Sequence, residues 1–88
     1  DEVLQTEELA AELIRFLTAN YPGVLENKYT ITAAPDPYVT LGRIAESRHC
    51  LVRGNELDTE KAAMLLMDDF REGKLGRLTL EYPQTEEA

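Results

Sequence analysis

Residues 49–81 of the chain read HCLVRGNELDTEKAAMLLMDDFREGKLGRLTLE, and this stretch decides the fold because it contains a helix together with its start and stop signals. Apolar residues recur at the spacing of one helical face, at Ala62, Leu65, Leu66 and Phe70. Asp58 precedes this pattern as a typical N-cap, and Gly73 follows it as a typical left-handed C-cap. The stretch therefore predicts a helix over residues 59–72, with a turn at residues 53–55 before it.

Upstream of this stretch, the pair Asp36 and Pro37 predicts the start of another helix, over residues 37–47. An aspartate can cap the first turn, and proline is well tolerated at the first helical position, where its missing N–H is not needed. Four residues of this helix are expected to face the core: Tyr38, Leu41, Ile44 and Ala45. Residues 24–29 predict a short helix, and residues 29–35 are expected to form a loop.

The amino-terminal segment predicts a helix over residues 6–20 that ends before Pro22 and Gly23. Thr6 is the expected N-cap of this helix. The apolar face is expected to contain Leu9, Leu13, Phe16 and Leu17, and to be widened by Ala10 and Ile14.

These elements together predict an all-α fold, a small bundle of three main helices plus a short helix, followed by an extended C-terminal segment. Residues 78–81 alternate apolar and polar side chains but have no second convincing strand with which to pair. We expect one helical domain over residues 1–82 and a disordered acidic tail over residues 83–88. Its core is predicted to contain Leu13, Phe16, Leu17, Leu41, Ile44, Leu65, Leu66 and Phe70.

Composition limits the function of the chain in three ways. The formal net charge of -8 argues against simple nucleic-acid binding, DNA included, because attraction to phosphate needs local positive charge. No apolar stretch approaches the roughly 20 residues that span a bilayer, so a membrane role is not expected. A single cysteine, Cys50, cannot form an internal disulfide, which suggests a reducing, cytoplasmic compartment.

The residues that could suggest catalysis are better explained in other ways. Adjacent His49 and Cys50 seldom reach the geometry of a nucleophilic pair, so a buried cysteine beside a surface histidine is expected. Asp68 and Asp69 point about 100° apart on a helix and are interpreted as a solvated face. The segment at residues 73–77 follows a helix instead of a strand, so it is not a phosphate-binding loop. We expect no catalytic residue, metal site or cofactor site in this chain.

Positive charge is concentrated in two segments on either side of the helix predicted at residues 59–72. If these segments meet in space, they would form a surface that contacts phosphates. The alternative is a set of scattered solubilising charges, each paired with a nearby acid. The candidate RNA-binding residues are Arg43, Arg48, His49, Arg53, Lys74 and Arg77.

Several blocks of this sequence, from about residue 9 to about residue 81, match a known family in order and spacing. The matching positions are Phe16, Leu17, Tyr21, Pro22, Leu25, Tyr29, Ile44, Ala45, Cys50, Leu51, Gly54, Lys61, Asp69, Arg71, Lys74, Gly76, Arg77 and Leu78. In these blocks the chain resembles the carboxy-terminal end of the ribosome biogenesis GTPase A family, which are circularly permuted GTPases. Members typically have Arg-Gly-Cys where this chain has His49 between Arg48 and Cys50. Glycine is also frequent at the position of Asn55.

The resemblance implies a role without catalysis in this segment. It implies a parent protein with an amino-terminal GTPase domain that uses GTP and Mg, and a function in assembly of the large (50S) ribosomal subunit. The segment would pack beside the GTPase domain and help bind the maturing subunit through ribosomal RNA. The competing interpretation is a structural or protein-interaction module that never touches RNA. The acidic net charge favours this interpretation.

Overall fold

The computed structural model of the chain describes residues 2–76, with side chains from residue 6 onward. Its helices are α1 (Glu2–Asn20), α2 (Val24–Tyr29), α3 (Pro37–Ser47) and α4 (Thr59–Arg71), and a 3-10 turn lies at Arg53–Asn55. The predicted all-α fold is confirmed. The segments predicted to be extended (residues 78–81) and disordered (residues 83–88) lie outside the described residues.

Helix α1 begins earlier than predicted, because Glu2 rather than Thr6 opens it. The N-cap assigned to Thr6 is therefore wrong. The residues between the two positions are valine and the good helix formers leucine and glutamine, so the helix extends past a residue that could have capped it.

The core lies where α1, α3 and α4 pack against one another. On α1 the buried stripe is centred on Ala10, Ile14 and Leu17. Leu9 was predicted to lie on the apolar face and Phe16 in the core, yet they are 56% and 43% exposed. This stripe also contains Ala11, and the larger Leu9 and Phe16 lie to its sides.

Most of the predicted core is confirmed on α1, α3 and α4. Leu17, Leu41, Ile44 and Leu66 are buried, and Leu13, Leu65 and Phe70 pack against the core while half-buried. The prediction for Tyr38 is wrong, because its side chain is 45% exposed. Tyr38 directly follows the N1 proline, and from this first turn of α3 its side chain lies over the surface of α1.

The predicted helix boundaries at the caps are confirmed closely. Asp36 Oδ1 accepts a hydrogen bond from the Tyr38 amide at 2.9 Å, and Asp58 Oδ1 accepts one from the Lys61 amide at 3.0 Å. After α4, Gly73 has a φ of 73°, the left-handed conformation expected of it. Each of these helix ends is therefore fixed by a residue suited to it.

Between α3 and α4 the chain forms a small hairpin, with a single bridge between Leu51 and Leu57. Cys50 anchors the hairpin in the core at 2% exposure. No larger sheet forms within residues 2–76, in agreement with the sequence prediction. None of the helices described is both long and apolar enough to cross a membrane.

Candidate nucleic-acid interface

The carboxy-terminal half of α3 is bonded to the end of α2 and to the loop that follows it. The Arg43 guanidinium donates to the Thr32 carbonyl at 2.7 Å, and the Arg48 guanidinium donates to the Lys28 carbonyl at 2.8 Å. Between them the Ser47 hydroxyl donates to a backbone carbonyl of the same segment at 2.6 Å. Arg43 and Ser47 lie four residues apart on one face of α3, and Arg48 follows as the C-cap, so the end of α3 supplies all three donors.

These bonds form partly because α2 is short, with only 6 residues. The last carbonyls of a helix have no partner within it, so they need donors from elsewhere. Ser47 and Arg48 supply donors to the carbonyls of Tyr29 and Lys28, while Thr30 ends the helix with a left-handed φ of 57°. Arg48 therefore has a structural task as well as a charge.

Beneath the arginines, a buried tyrosine links three helices. Tyr29 is 1% exposed and donates its hydroxyl to Asp69 Oδ2 of α4 at 2.7 Å. The Arg48 guanidinium lies 5.1 Å from the centre of the Tyr29 ring, within the range of a cation–π contact. Burial, and then the hydrogen bond to Asp69, raises the pKa of Tyr29 well above its ordinary value. The phenol therefore stays neutral and acts as a donor.

Asp69 corrects one sequence interpretation. It was assigned to a solvated face together with Asp68, but only Asp68 is exposed, whereas Asp69 is 8% exposed. Asp69 lies seven residues after Ala62 and three after Leu66, on the buried stripe of α4, and this spacing was the signal that could have revealed it. The Asp69 carboxylate can be buried there because it accepts a hydrogen bond from the Tyr29 hydroxyl.

We call Lys28, Arg43 and Arg48 the basic corner. Lys28 was not among the predicted site residues; its place in the last turn of a short helix, next to a loop that α3 must contact, was the available signal. Both arginines are exposed, and each guanidinium carries five N–H donors, most of them left for another acceptor once a backbone carbonyl is bound.

A groove of about 550 Å³ lies beside Arg43. It is mostly polar, and one acid, Glu46, lies in its wall. Hydroxyls and a guanidinium are common donors to phosphate oxygens, so the groove can bind an anion at its Arg43 side. Its lining residues are Thr30, Ile31, Thr32, Arg43, Glu46 and Ser47.

Lys74 belongs to the same end of the molecule, but its charge is partly neutralised. Its amide donates to the Asp69 carbonyl at 2.8 Å, which places the segment after α4 next to the network around Tyr29. Its ammonium lies 3.1 Å from a carboxylate oxygen of Glu72. The hydrogen bond to Glu72 raises the pKa of Lys74 above its ordinary value, so the lysine remains charged but paired.

The structure does not gather the remaining candidates into the basic corner. His49 follows Arg48 and is exposed, in a left-handed conformation with a φ of 57°. Arg53 lies in the 3-10 turn at the tip of the hairpin. Arg77 lies outside the described residues.

The backbone at His49 explains one departure from the family pattern. Glycine adopts a positive φ at little cost, whereas a side chain there is strained. Asn55, the other position where relatives often carry glycine, also has a positive φ, of 65°. Asparagine tolerates this conformation better than most residues, so the turn is retained.

Metal and nucleophile chemistry finds no support in the geometry. Across residues 2–76, no group of three or more His, Cys, Asp or Glu side chains could hold a metal ion. Cys50 is buried in the core while His49 is exposed, as expected for an unreactive cysteine next to a surface histidine. What the described surface offers at the basic corner is a pair of exposed guanidinium donors.

Comparison with known proteins identifies relatives of the chain. It is 33% identical over 85 residues to ribosome biogenesis GTPase A of Bacillus cereus, a match that covers 96% of this chain and 29% of the relative. It is also 33% identical over 88 residues to ribosome biogenesis GTPase A of Priestia megaterium, covering 99% of this chain and 31% of the relative. No family model matches, and no solved structure matches at a significant level. The resemblance drawn from the sequence is thus confirmed: over nearly all of its length the chain is similar to proteins named ribosome biogenesis GTPase A, and it spans less than a third of the length of these relatives.

Proposed function

We propose that this chain is the non-catalytic, carboxy-terminal domain of a GTPase that acts in assembly of the large (50S) ribosomal subunit. The names of the relatives, ribosome biogenesis GTPase A, support a parent of this kind. In this proposal the parent binds GTP and Mg in its amino-terminal domain and works in the cytoplasm. The present chain helps to bind the maturing subunit through ribosomal RNA.

The observation that carries the proposal is the basic corner. The guanidiniums of Arg43 and Arg48 bond to the backbone carbonyls of Thr32 and Lys28, so two exposed arginines are fixed against α2 and the loop that follows it. Because carbonyls and the Tyr29 ring fix the arginines, they lose little side-chain entropy when they bind a phosphate. A preorganised arginine pair is well suited to the backbone of folded RNA.

The acidic character of the rest of the chain would then orient the domain. With a net charge of -8, most of the surface is repelled by RNA, and the basic corner is the attractive exception. Such a domain binds phosphate with one end only. This answers the objection, drawn from the net charge, that an acidic chain cannot contact RNA.

The test is binding of the complete parent protein to isolated large ribosomal subunits at several salt concentrations. Arg43→Gln combined with Arg48→Gln should weaken binding and lower the slope of log affinity against log salt by about one unit for each phosphate that the variant no longer binds. Both side chains are exposed, and the carbonyls that they release can bond to water, so folding is largely preserved.

The matched control is Lys61→Gln combined with Arg71→Gln. Both are exposed residues of α4 that do not line the groove beside Arg43, and their replacement removes the same number of charges without touching the basic corner. This control should leave both affinity and slope nearly unchanged. If the variant at Arg43 and Arg48 behaved like this control, RNA contact at the basic corner would be rejected.

The alternative function, a docking module without RNA contact, is supported by the exposed apolar hairpin. Leu51, Val52 and Leu57 are each more than two-fifths exposed. A face of this kind suits packing beside the parent's GTPase domain, because stable interfaces bury apolar side chains. The two functions are compatible, and the salt slope separates them: a docked apolar face gives weak salt dependence, whereas phosphate binding gives steep dependence.

A further inference from the structure

A second groove, of about 660 Å³, lies between α1 and the first turn of α3. Leu9 and Tyr38 are its apolar residues, and their side chains are 56% and 45% exposed. Glu8, Glu12 and Arg15 form its charged wall. We call these five residues the acidic groove. It shares no lining residue with the groove beside Arg43.

The acidic groove is formed by backbone that is already fixed. The Asp36 carboxylate caps the Tyr38 amide at 2.9 Å, which sets the first turn of α3. On the other wall, Ala10 and Ile14 of α1 are buried in the core next to Leu9. Neither wall needs to move for Leu9 and Tyr38 to accept an apolar side chain, so a ligand meets a preformed surface.

The charge of the acidic groove selects the kind of ligand. Glu12 is bonded to Arg15 at 2.5 Å, and both side chains are more than half exposed. Glu8 adds a further carboxylate, so the wall carries a net negative charge. Phosphate would be repelled by this wall, whereas a lysine or arginine would be attracted to it.

We infer that the acidic groove docks a basic polypeptide segment from a separate protein, with one apolar side chain seated between Leu9 and Tyr38. A separate protein is favoured over the rest of the parent chain because three of the five lining residues are charged. Permanent interfaces are usually more apolar and contain few charges at their centre, whereas transient partners accept a charged rim.

The probe is a synthetic amphipathic helical peptide of leucine and lysine, titrated into the isotopically labelled 88-residue chain and followed by amide chemical shifts. The shifts should be concentrated at residues 8–15 and around Tyr38. Leu9→Ser combined with Glu8→Lys should raise the dissociation constant at least about tenfold, because an apolar contact and a charge pair are removed together. Both side chains are exposed, so the variant should fold normally.

The matched control is Met64→Ser combined with Glu56→Lys, the same kinds of change at exposed positions elsewhere. It should leave the dissociation constant within about twofold of the unmodified chain. The inference is overturned if the shifts map to other residues or if the control weakens binding equally. It is also overturned if the peptide binds this chain but not the complete parent, because the rest of the parent would then cover the acidic groove. RNA binding at the basic corner is measured separately and is unaffected by either result.

Discussion

One tyrosine lies beneath the basic corner and another lies in the acidic groove, and the two tyrosines differ in burial and in bonding. Tyr29, beneath the basic corner, is 1% exposed, and its hydroxyl is bonded to Asp69. Tyr38 in the acidic groove is 45% exposed and lies in the capped first turn of α3. The first tyrosine supports a surface from beneath, and the second is part of a surface. We propose that the net charge of -8 conceals two separate faces, one that attracts anions and one that attracts cations.

The largest expected effect comes from truncating the two tyrosines in parallel. Tyr29→Ala should lower the free energy of unfolding by about 3–5 kcal/mol, because it leaves a cavity where three helices meet. Tyr38→Ala should change it by no more than about 0.5 kcal/mol, as for most surface residues. Chemical denaturation of the two variants measures both values. Equal losses would mean that the contrast between the two regions is wrong.

A smaller effect isolates the hydroxyl that supports the basic corner. Tyr29→Phe keeps the ring but leaves the buried Asp69 carboxylate without its donor, which should cost about 1–3 kcal/mol. Affinity for the large subunit should fall as well, since the ring beneath Arg48 is less firmly held. Unfolding curves near neutral pH give the stability difference, and an unchanged curve would show that the bond at 2.7 Å contributes nothing.

The stability of the unmodified chain and that of the Tyr29→Phe variant should also depend differently on pH. The folded-state pKa of Tyr29 lies above the ordinary value of 10.0, so the hydroxyl contributes fully below pH 10.0 and its contribution is lost as pH rises above that value. The unfolded chain then releases a proton that the folded chain retains. The stability difference between the unmodified chain and Tyr29→Phe should therefore narrow above pH 10.0. A difference that stayed constant would mean that Tyr29 titrates normally.

The smallest expected effect concerns the backbone next to the basic corner. His49→Gly relieves a left-handed φ of 57° but makes the unfolded chain more flexible, so the two effects partly cancel. We expect a net gain of less than about 1 kcal/mol, seen as a small rise in melting temperature. A clear loss of stability would show that the His49 side chain makes a contact that outweighs the strain.

Helix positions could be predicted from the sequence because they depend on local chemistry. Asp36 and Asp58 cap the helices they were expected to cap, and Gly73 ends α4 as expected. The charge pattern indicated candidate residues of the site but not the contacts that bring them together. Arg43 and Arg48 were predicted, but their backbone partners lie 11 and 20 residues away in the chain, so their meeting depends on tertiary packing.

The errors on the core face have a common physical origin in side-chain size. Leu9 and Phe16 share apolar character with the true core stripe, so periodicity could not exclude them from it. The small residues Ala10 and Ala63 are buried on the faces that pack, and small size is a weaker signal than hydrophobicity. Asp69 was missed for a different reason. A charged residue can be buried on an apolar stripe only if it has a hydrogen-bond partner, here Tyr29, and the sequence pattern does not reveal that partner.

The most direct test of the account is site-specific photocross-linking in the complete parent protein bound to maturing large subunits. A photoreactive phenylalanine analogue at Thr32, in the groove beside Arg43, should cross-link to ribosomal RNA. The same analogue at Tyr38, in the acidic groove, should cross-link to protein and not to RNA. RNA cross-links at Tyr38 with none at Thr32 would contradict the account, because the acidic face would then be the one that meets RNA.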